Sequence, residues 1–239
     1  MSVEAKKTIW IFGDQLNLGI SSLDGQKPSD CRILMVESLQ KIESKNWHAQ
    51  RQHLVISAMT HFAEELREKG FEVDYRLATS FQKGLDQHCR TNAVTEVSAM
   101  EPSSWKCRKL LERNEVEIVP NNQFVCSYFE FAEWSKSRKR LRLEDFYRWQ
   151  RKRLGGEPEG GRWNFDSENR KPPPKDGREW PSVEKFSLDA TDVLVLDRLS
   201  DGWGEPPEGI WPVTRKQALI RLHEFIDTGL PKFGTYEDA

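Results

Sequence analysis

Carboxylate side chains follow three short apolar runs of the sequence, at positions where acidic groups could hold a small polar ligand. Asp14, Glu37 and Glu101 come after the runs TIWIF, RILMV and VTEVSAM, each within two residues of the run's end. If these runs are parallel strands, their carboxyl ends meet at one edge of a sheet, which is where ligands bind in such folds. The loop after the first run adds further candidates, so that it offers Gly13, Asp14, Gln15 and Leu16. The competing interpretation is ordinary turn chemistry, because glycine and aspartate are common after strands.

Metal-binding and nucleophilic patterns are not found in the sequence. His48, His53 and His61 are spaced by five and eight residues, which does not stack them on one helical face, so we assign no metal. The cysteines form no CxxC pair and are interpreted as free thiols rather than cluster or zinc ligands: Cys31, Cys89, Cys107 and Cys126. There is also no phosphate-binding glycine loop and no G-x-S-x-G nucleophile turn. Without these patterns, the sequence favours non-covalent ligand binding over catalysis.

A basic and aromatic segment occupies residues 136–153. Nine Lys and Arg residues stand here against Glu144 and Asp145, interleaved with Phe, Tyr and Trp. Such a segment, Lys136–Arg153, could contact phosphates and stack on bases of DNA. The alternative is a solvated basic helix with one apolar side, which is the commoner outcome for such runs.

Overall composition indicates a folded protein without membrane spans. The 239 residues include nine Trp and twelve Phe, and the net charge is −2, so the whole chain has no electrostatic preference for nucleic acid or anionic lipid. No apolar stretch reaches the roughly 18 residues that a membrane helix needs. The N-terminus has no signal-peptide core, and we therefore expect a cytoplasmic protein with no membrane partner.

The order of apolar patterns predicts the elements that would position the candidate residues. Strand-like and helix-like segments alternate through the first half as βαβαβαβ, including an amphipathic helix over about 48–69 and a helix that begins after Ser80. Such alternation predicts an α/β fold, a Rossmann-like five-stranded parallel sheet with helices on both faces. A helical and irregular connector follows it.

Three domains are predicted along the chain. Residues 1–135 form the Rossmann-like domain, 136–182 a basic helical and Pro/Gly-rich connector, and 183–239 the start of a helical domain. The connector is inferred from GGEPEGG and PPP, which fit neither a helix nor a central strand.

Several motifs together resemble one known family. They include IFGDQL at 11–16, NNQFVCS at 121–127, GGRWNFDSENRKPPPK at 160–175, WPVTRKQA at 211–218 and LPKFGTYEDA at 230–239. Over the whole chain the sequence resembles the deoxyribodipyrimidine photolyase-related proteins, the bacterial branch of the photolyase/cryptochrome family that carries an iron–sulfur cluster.

The resemblance implies an antenna function. Full-length members carry an N-terminal α/β domain that binds an antenna chromophore and a helical domain that holds FAD, the cluster and the DNA-lesion pocket. This sequence reaches only the beginning of the helical domain, so we expect neither photolyase activity nor FAD or cluster binding from it alone. A lumazine-type chromophore, such as 6,7-dimethyl-8-ribityllumazine, is the expected ligand. The positions that match the antenna pocket are Gly13, Asp14, Gln15, Leu16, Glu37, His48 and Glu101.

Two other functions remain open from the sequence. The chain could be a stand-alone module that binds another nucleotide-like ligand or a protein partner, or a DNA-binding module that uses the basic segment. The expected partners are accordingly a small aromatic chromophore, DNA at the basic segment, and either a separate catalytic half or a second copy of the chain.

Overall fold

A computed structural model describes residues 5–165, 167–172, 175–176, 182–199 and 203–234 of the chain. Asp166, Pro173 and Pro174 of the 160–175 motif, and residues 235–239 of the C-terminal motif, lie outside the described residues.

A five-stranded parallel sheet forms the centre of the structure, which confirms the predicted fold class. The strands are β1 Lys6–Ile11, β2 Cys31–Ser38, β3 Glu72–Ala78, β4 Val94–Met100 and β5 Glu117–Val119. They lie in the order β3-β2-β1-β4-β5, and every neighbouring pair is parallel. The chain therefore winds outward in one direction from β1 to β3 and in the other from β4 to β5. In open sheets of this kind the crevice for a ligand lies at that switch point, beside β1.

Helices follow the strands and continue after the sheet. The α-helices are α1 Leu39–Ile42, α2 Ala49–Glu68, α3 Phe81–Thr91, α4 Trp105–Arg113, α5 Tyr128–Lys136, α6 Leu143–Arg153, α7 Ala190–Arg198, α8 Arg215–Glu224 and α9 Leu230–Phe233. Short 3₁₀ turns lie at Ser21–Leu23 and Glu159–Gly161, and a π-helical turn at Phe225–Gly229. In the part of the chain that is described, no helix combines the length and the apolarity that crossing a membrane requires.

Serine caps start the helices that leave the carboxyl edge of the sheet. Ser38, Ser80 and Ser104 accept hydrogen bonds from backbone N–H groups in the first turns of α1, α3 and α4. Each cap satisfies a donor that the helix itself cannot pair. Because each helix begins within five residues of the end of its strand, the three connections between them are short and gather at this edge.

Side chains that alternate along β1 and β2 build two apolar layers, one on each face of the sheet. Ile9 and Ile11 face α2, where they pack with Met59 and Leu66. Trp10 and Phe12 point to the opposite face, which α3 and α4 cover, and their rings lie 4.9 Å apart. Burial on both sides explains why both strands read as unbroken apolar runs rather than as alternating ones.

The chain divides into two compact units. The first contains Met1–Gln123 together with Val183–Leu219, and the second contains Phe124–Ser182 with Ile220–Ala239. In the second unit, α5 and α6 pack through an aromatic cluster in which neighbouring rings lie 5.1–6.0 Å apart: Phe131, Trp134, Phe146 and Trp149. The predicted boundaries at 135 and 182 stay a prediction.

Candidate functional site

A pocket of about 290 Å³ lies at the carboxyl edge of the sheet, within the first unit. The loops after β1, β2 and β4 form its floor, and α2 and α3 contribute walls. Among the sequence-predicted residues it is lined by Gly13, Asp14 and Glu37. The topology accounts for this meeting, because the carboxyl ends of β1, β2 and β4 are neighbours in the sheet.

One wall of the pocket is apolar and comes from both sheet and helices. Its side chains are those of Phe12, Val36, Ile42, Val55, Ile56, Met59 and Phe81. Gly13 lies close beneath α2, and a Cβ atom at this position would stand 3.0 Å from Met59 Sδ. A glycine therefore leaves space at the point where the loop after β1 passes under the helix. This wall suits a flat aromatic ring.

Glu37 is the buried acid of the pocket. Its side chain is 4% exposed, and its Oε2 accepts a hydrogen bond from the Tyr75 hydroxyl at 3.0 Å. Arg198 of α7 places Nη1 3.4 Å from the same oxygen. Burial, and then the negative charge of Glu37, raise the pKa of Tyr75 above its usual range, so the phenol stays protonated and donates. These two donors hold the carboxylate in one orientation at the edge of the pocket.

Cationic and amide groups also line the pocket. Arg51 and Lys41 lie over the ring of Trp47, at 4.4 and 5.7 Å from its centroid. Gln52 donates from Nε2 to the Trp47 carbonyl at 3.1 Å, while its Oε1 is buried and has no hydrogen-bond partner among the described residues. The pocket thus offers acceptors, cations and one unused amide oxygen to a bound molecule.

Four of the predicted site residues make contacts outside the pocket instead of lining it. Gln15 is fully buried, and its side chain accepts from the Phe12 N–H at 3.3 Å and donates to the Met100 carbonyl at 3.1 Å. It therefore ties the loop after β1 to the end of β4 and lies outside the pocket lining. Leu16 lines a second concavity beside Phe62 and Pro212.

The other two are His48 and Glu101. The His48 Nδ1 accepts from the Gln50 N–H at 3.2 Å and so caps α2, while its ring packs edge-on against Trp203. The carboxylate of Glu101 is paired with Arg108. Neither residue lines the pocket, and the expected convergence of Asp14, Glu37 and Glu101 is seen only for the first two. Ligand binding at the predicted positions stays a prediction.

The sequence reasoning missed the contribution of α2 to the pocket. Arg51, Gln52, Val55, Ile56 and Met59 all line it. Their spacings of three and four residues put them on one helical face, a signal that was present in the sequence. This periodicity predicts only an amphipathic helix, because it does not show which part of the apolar face reaches a cavity.

The one cysteine that lines the pocket is poorly suited to act as a nucleophile. Cys107 is a lining thiol, and burial raises its pKa, which keeps it protonated and weakly nucleophilic. A hydroxyl–imidazole–carboxylate row does occur elsewhere, with Thr8 Oγ1 2.8 Å from His88 Nε2 and His88 Nδ1 2.6 Å from Asp74 Oδ2. Thr8 and His88 are fully buried, and Thr8 lines neither of the two pockets. We therefore interpret that row as a structural link between β1, α3 and β3.

Several arginines of the basic segment contact rings and acids of α5 and α6. Arg138 lies 4.7 Å from the centroid of the Trp134 ring, and Arg153 lies 5.5 Å from that of Trp149. Arg153 also pairs with Glu130 at 2.5 Å. These contacts occupy part of the charge that the sequence counts as available. DNA contact through Lys136–Arg153 stays a prediction.

The fold defines a Rossmann-like α/β domain, with a pocket at the topological switch point of its parallel sheet. Comparison with known proteins narrows the class: the profile described as "Deoxyribodipyrimidine photo-lyase-related protein" matches residues 9–207, and the chain belongs to this family. It is also 33% identical to the "(6-4) photolyase" of Agrobacterium fabrum (strain C58 / ATCC 33970) over 252 aligned positions. That alignment covers 97% of this chain and 50% of the relative, so the chain spans about half the length of the curated relative it matches.

Proposed function

We propose that this chain is the antenna domain of a photolyase-related protein and that its pocket binds a lumazine-type chromophore, 6,7-dimethyl-8-ribityllumazine. The observation that carries the proposal is the pocket itself, an apolar slot with convergent polar groups at the switch point of a sheet, in a chain of this family. Next to a flavin-bearing catalytic half, the chromophore would absorb light and pass the excitation on, in the service of DNA repair.

The size of the pocket supports a single ring system rather than a dinucleotide. Its volume of about 290 Å³ stands at the lower end of the range for small-molecule sites, roughly 300–1,000 Å³. This volume is of the size that a bicyclic ring system such as a lumazine requires, whereas FAD would need considerably more. We therefore keep FAD, like the iron–sulfur cluster, out of the proposal for this pocket.

The polar groups match the chemistry of a ribityllumazine. Its dione ring carries one N–H donor and two carbonyl acceptors, and its ribityl chain carries hydroxyls. Gln52 Oε1 and Glu37 supply acceptors for donors of the ligand, and Arg51 supplies donors for its carbonyls. Asp14 and Ser104 line the pocket as well and offer oxygens to ribityl hydroxyls. Filling the partner position of a buried amide oxygen is favourable, because such an oxygen otherwise loses its hydrogen bond to water.

The proposal is tested by titrating the purified chain with 6,7-dimethyl-8-ribityllumazine and following the ligand's fluorescence. We expect one molecule to bind per chain. Val55→Trp places a large ring in the pocket wall and should weaken binding at least about tenfold, which corresponds to about 1.4 kcal/mol. Leu77→Trp, on an exposed position of β3 outside the pocket lining, is the matched control and should bind as the unmodified chain does. Equal affinities of the two variants would contradict the assignment of this pocket.

A nucleotide-like ligand is the second candidate, and the cations of the pocket favour it. Lys41 and Arg51 both line the site and could pair with a phosphate group. In that case 5′-AMP or FMN should displace the lumazine, and affinity for them should fall steeply with salt. Displacement by riboflavin, which lacks the phosphate, but not by 5′-AMP would favour the antenna assignment.

A further inference from the structure

Two histidines of α2 meet two aspartates at the start of α7. His53 Nε2 lies 3.1 Å from Asp192 Oδ1, and His61 Nε2 lies 3.4 Å from Asp189 Oδ2. One ligand atom each from His61, Asp189 and Asp192 lies within 4.8 Å of the others. The two rings do not stack on one helical face, yet both reach the first turn of α7. Eight residues turn an α-helix by two full turns and about 80° more, which leaves both rings able to reach one neighbouring helix end.

Helix capping fixes the orientation of both carboxylates. Asp189 Oδ1 accepts hydrogen bonds from the N–H groups of Thr191 and Asp192, at 2.9 and 3.0 Å. Asp192 Oδ2 in turn accepts from the Asp189 N–H at 3.1 Å, which completes a capping box at the start of α7. Each carboxylate thus uses one oxygen for the backbone. The remaining oxygen of each is the one that faces a histidine.

The facing atoms are buried and do not hydrogen-bond to one another. His53 Nε2, His61 Nε2 and Asp192 Oδ1 are all shielded from solvent and have no hydrogen-bond partner among the described residues. The side chains of His53 and Asp192 are each 2% exposed. An imidazole nitrogen and a carboxylate oxygen at 3.1 Å without hydrogen-bond geometry leave two buried polar atoms unsatisfied, which is unusual in a folded protein. A cation that both atoms coordinate would satisfy them together.

We propose that His61, Asp189 and Asp192, whose ligand atoms lie within 4.8 Å of one another, form a zinc site. His53, whose Nε2 lies 3.1 Å from Asp192 Oδ1, would add the fourth ligand. Zinc binds imidazole nitrogen at about 2.0–2.1 Å and carboxylate oxygen at about 2.0–2.2 Å, usually with four ligands in a tetrahedron. Neighbouring ligand atoms of such a tetrahedron lie about 3.4 Å apart. The separations of 3.1 and 3.4 Å agree with that spacing. Mixed nitrogen and oxygen ligands favour zinc over magnesium or calcium, which prefer oxygen alone.

The surroundings also suit a structural metal. Glu64 Oε2 lies 3.8 Å from His61 Nδ1, the ring nitrogen that does not face the aspartates. At 3.8 Å this carboxylate makes no hydrogen bond to the ring, but its negative charge favours a cation bound to the imidazole. Four protein ligands leave no open position for a substrate, so the site would fasten α7 to α2 rather than catalyse a reaction. The proposal does not depend on the proposed antenna function.

The experiment measures zinc binding by the whole purified chain after treatment with a chelator. Zn²⁺ is titrated in competition with a chromophoric chelator, and Co²⁺ is added separately to record its visible absorption bands. We expect one Zn²⁺ per chain, a tetrahedral Co²⁺ spectrum, and a rise in the unfolding temperature on adding Zn²⁺. Absence of stoichiometric binding at micromolar Zn²⁺ would overturn the proposal, and this measurement needs no variant.

Variants then locate the site. His61→Gln changes a partly exposed side chain and should weaken zinc binding at least about tenfold and abolish the thermal effect of zinc. Asp192→Asn should do the same, provided that its circular dichroism spectrum remains native. His223→Gln, an exposed histidine on α8, is the matched control and should leave binding unchanged. Unaltered zinc affinity in a folded His61→Gln protein would place the metal elsewhere and refute the assignment.

Discussion

Replacing Gln15 by methionine tests whether this residue is a structural clamp rather than a ligand contact. The side chain joins two strand ends through hydrogen bonds to the Phe12 N–H and the Met100 carbonyl. Methionine has a similar length and fills nearly the same volume, but it neither accepts nor donates in this geometry. The substitution therefore removes both hydrogen bonds while leaving little cavity behind.

The expected loss of stability follows from the burial of the two backbone groups. Gln15 is 0% exposed, so water does not replace the lost partners. Each buried polar group without a partner costs about 1–3 kcal/mol, which gives a decrease of about 2–6 kcal/mol in the free energy of unfolding. For a chain of this size 1 kcal/mol corresponds to roughly 2–4 °C, so the unfolding temperature should fall by at least about 4 °C.

Gln123→Met is the matched control for this change. Gln123 donates from Nε2 to the Asp14 carbonyl at 3.1 Å, in the same region of the fold but at an exposed position. Because water can take over that bond, the control should lose less than about 0.5 kcal/mol. Both variants are compared by thermal unfolding followed with circular dichroism, and by lumazine titration of the folded proteins.

Two results would refute the reasoning about Gln15. Equal unfolding temperatures for the two variants would mean that burial of the two backbone groups carries no such cost. A folded Gln15→Met protein of unchanged stability that no longer binds lumazine would make Gln15 a ligand contact, as the sequence suggested. We expect instead a loss of stability, with an affinity within about twofold of the unmodified chain, equivalent to about 0.4 kcal/mol.

Three further predictions concern packing, pH and DNA. Gly84→Ala should destabilise the chain by about 1–3 kcal/mol in urea unfolding, because its Cβ would lie 2.5 Å from a methyl carbon of Val36; adding Val36→Ala should recover part of the loss, and simple additivity would contradict this. Asp74→Asn should cost about 1–2 kcal/mol at neutral pH: burial opposes its ionisation, but hydrogen bonds from His88 and Arg76 lower the pKa of Asp74 below its unfolded value. The stabilisation by the Asp74 carboxylate is therefore present above its unfolded pKa of about 3.9 and is lost as pH falls through the lower folded pKa. The difference in unfolding free energy between Asp74→Asn and the unmodified chain should therefore shrink below about pH 4. A difference that stays constant with pH would contradict this. If Lys136–Arg153 contacts DNA, the affinity for a labelled duplex should fall linearly with salt on a log–log plot, and exchange of Lys139 and Arg140 for serine should reduce the slope by about two.

The fold was predictable because its local signals agree with one another. The apolar run at 8–12 overlaps β1 and ends one residue beyond it, the run at 32–36 lies within β2, and the predicted helix over about 48–69 corresponds to Ala49–Glu68. Ser80 caps α3 as expected. Strands that alternate with helices allow few arrangements, since parallel strands require right-handed crossovers. Period, cap and topology thus predicted a five-stranded parallel sheet without any information from contacts, whereas the order of its strands came from the structure.

The site was predictable only where topology alone determines position. Asp14 and Glu37 line the pocket because they lie at the carboxyl ends of adjacent strands of the sheet. Glu101 also follows a strand end, but its carboxylate pairs with Arg108 and does not line the pocket. Arg108 lies on the helix that begins four residues after Glu101. That choice depends on side-chain geometry in a loop, which spacing does not encode. The link between Glu37 and Arg198, 161 residues apart, was likewise beyond any local pattern.

Helix α7 contacts both the proposed zinc site and the pocket at the carboxyl edge of the sheet. Its first turn carries Asp189 and Asp192 to the histidines of α2, Val195 is buried in the core beneath the sheet, and Arg198 ends the helix at Glu37. A nine-residue helix is about 13 Å long, so its two ends reach groups that lie far apart in the first unit. One short helix thus contacts the histidines of α2 at its start and the buried acid of the pocket at its end. The segment that follows residue 183 therefore belongs to the same compact unit as the sheet, although about 60 residues of the chain separate it from β5.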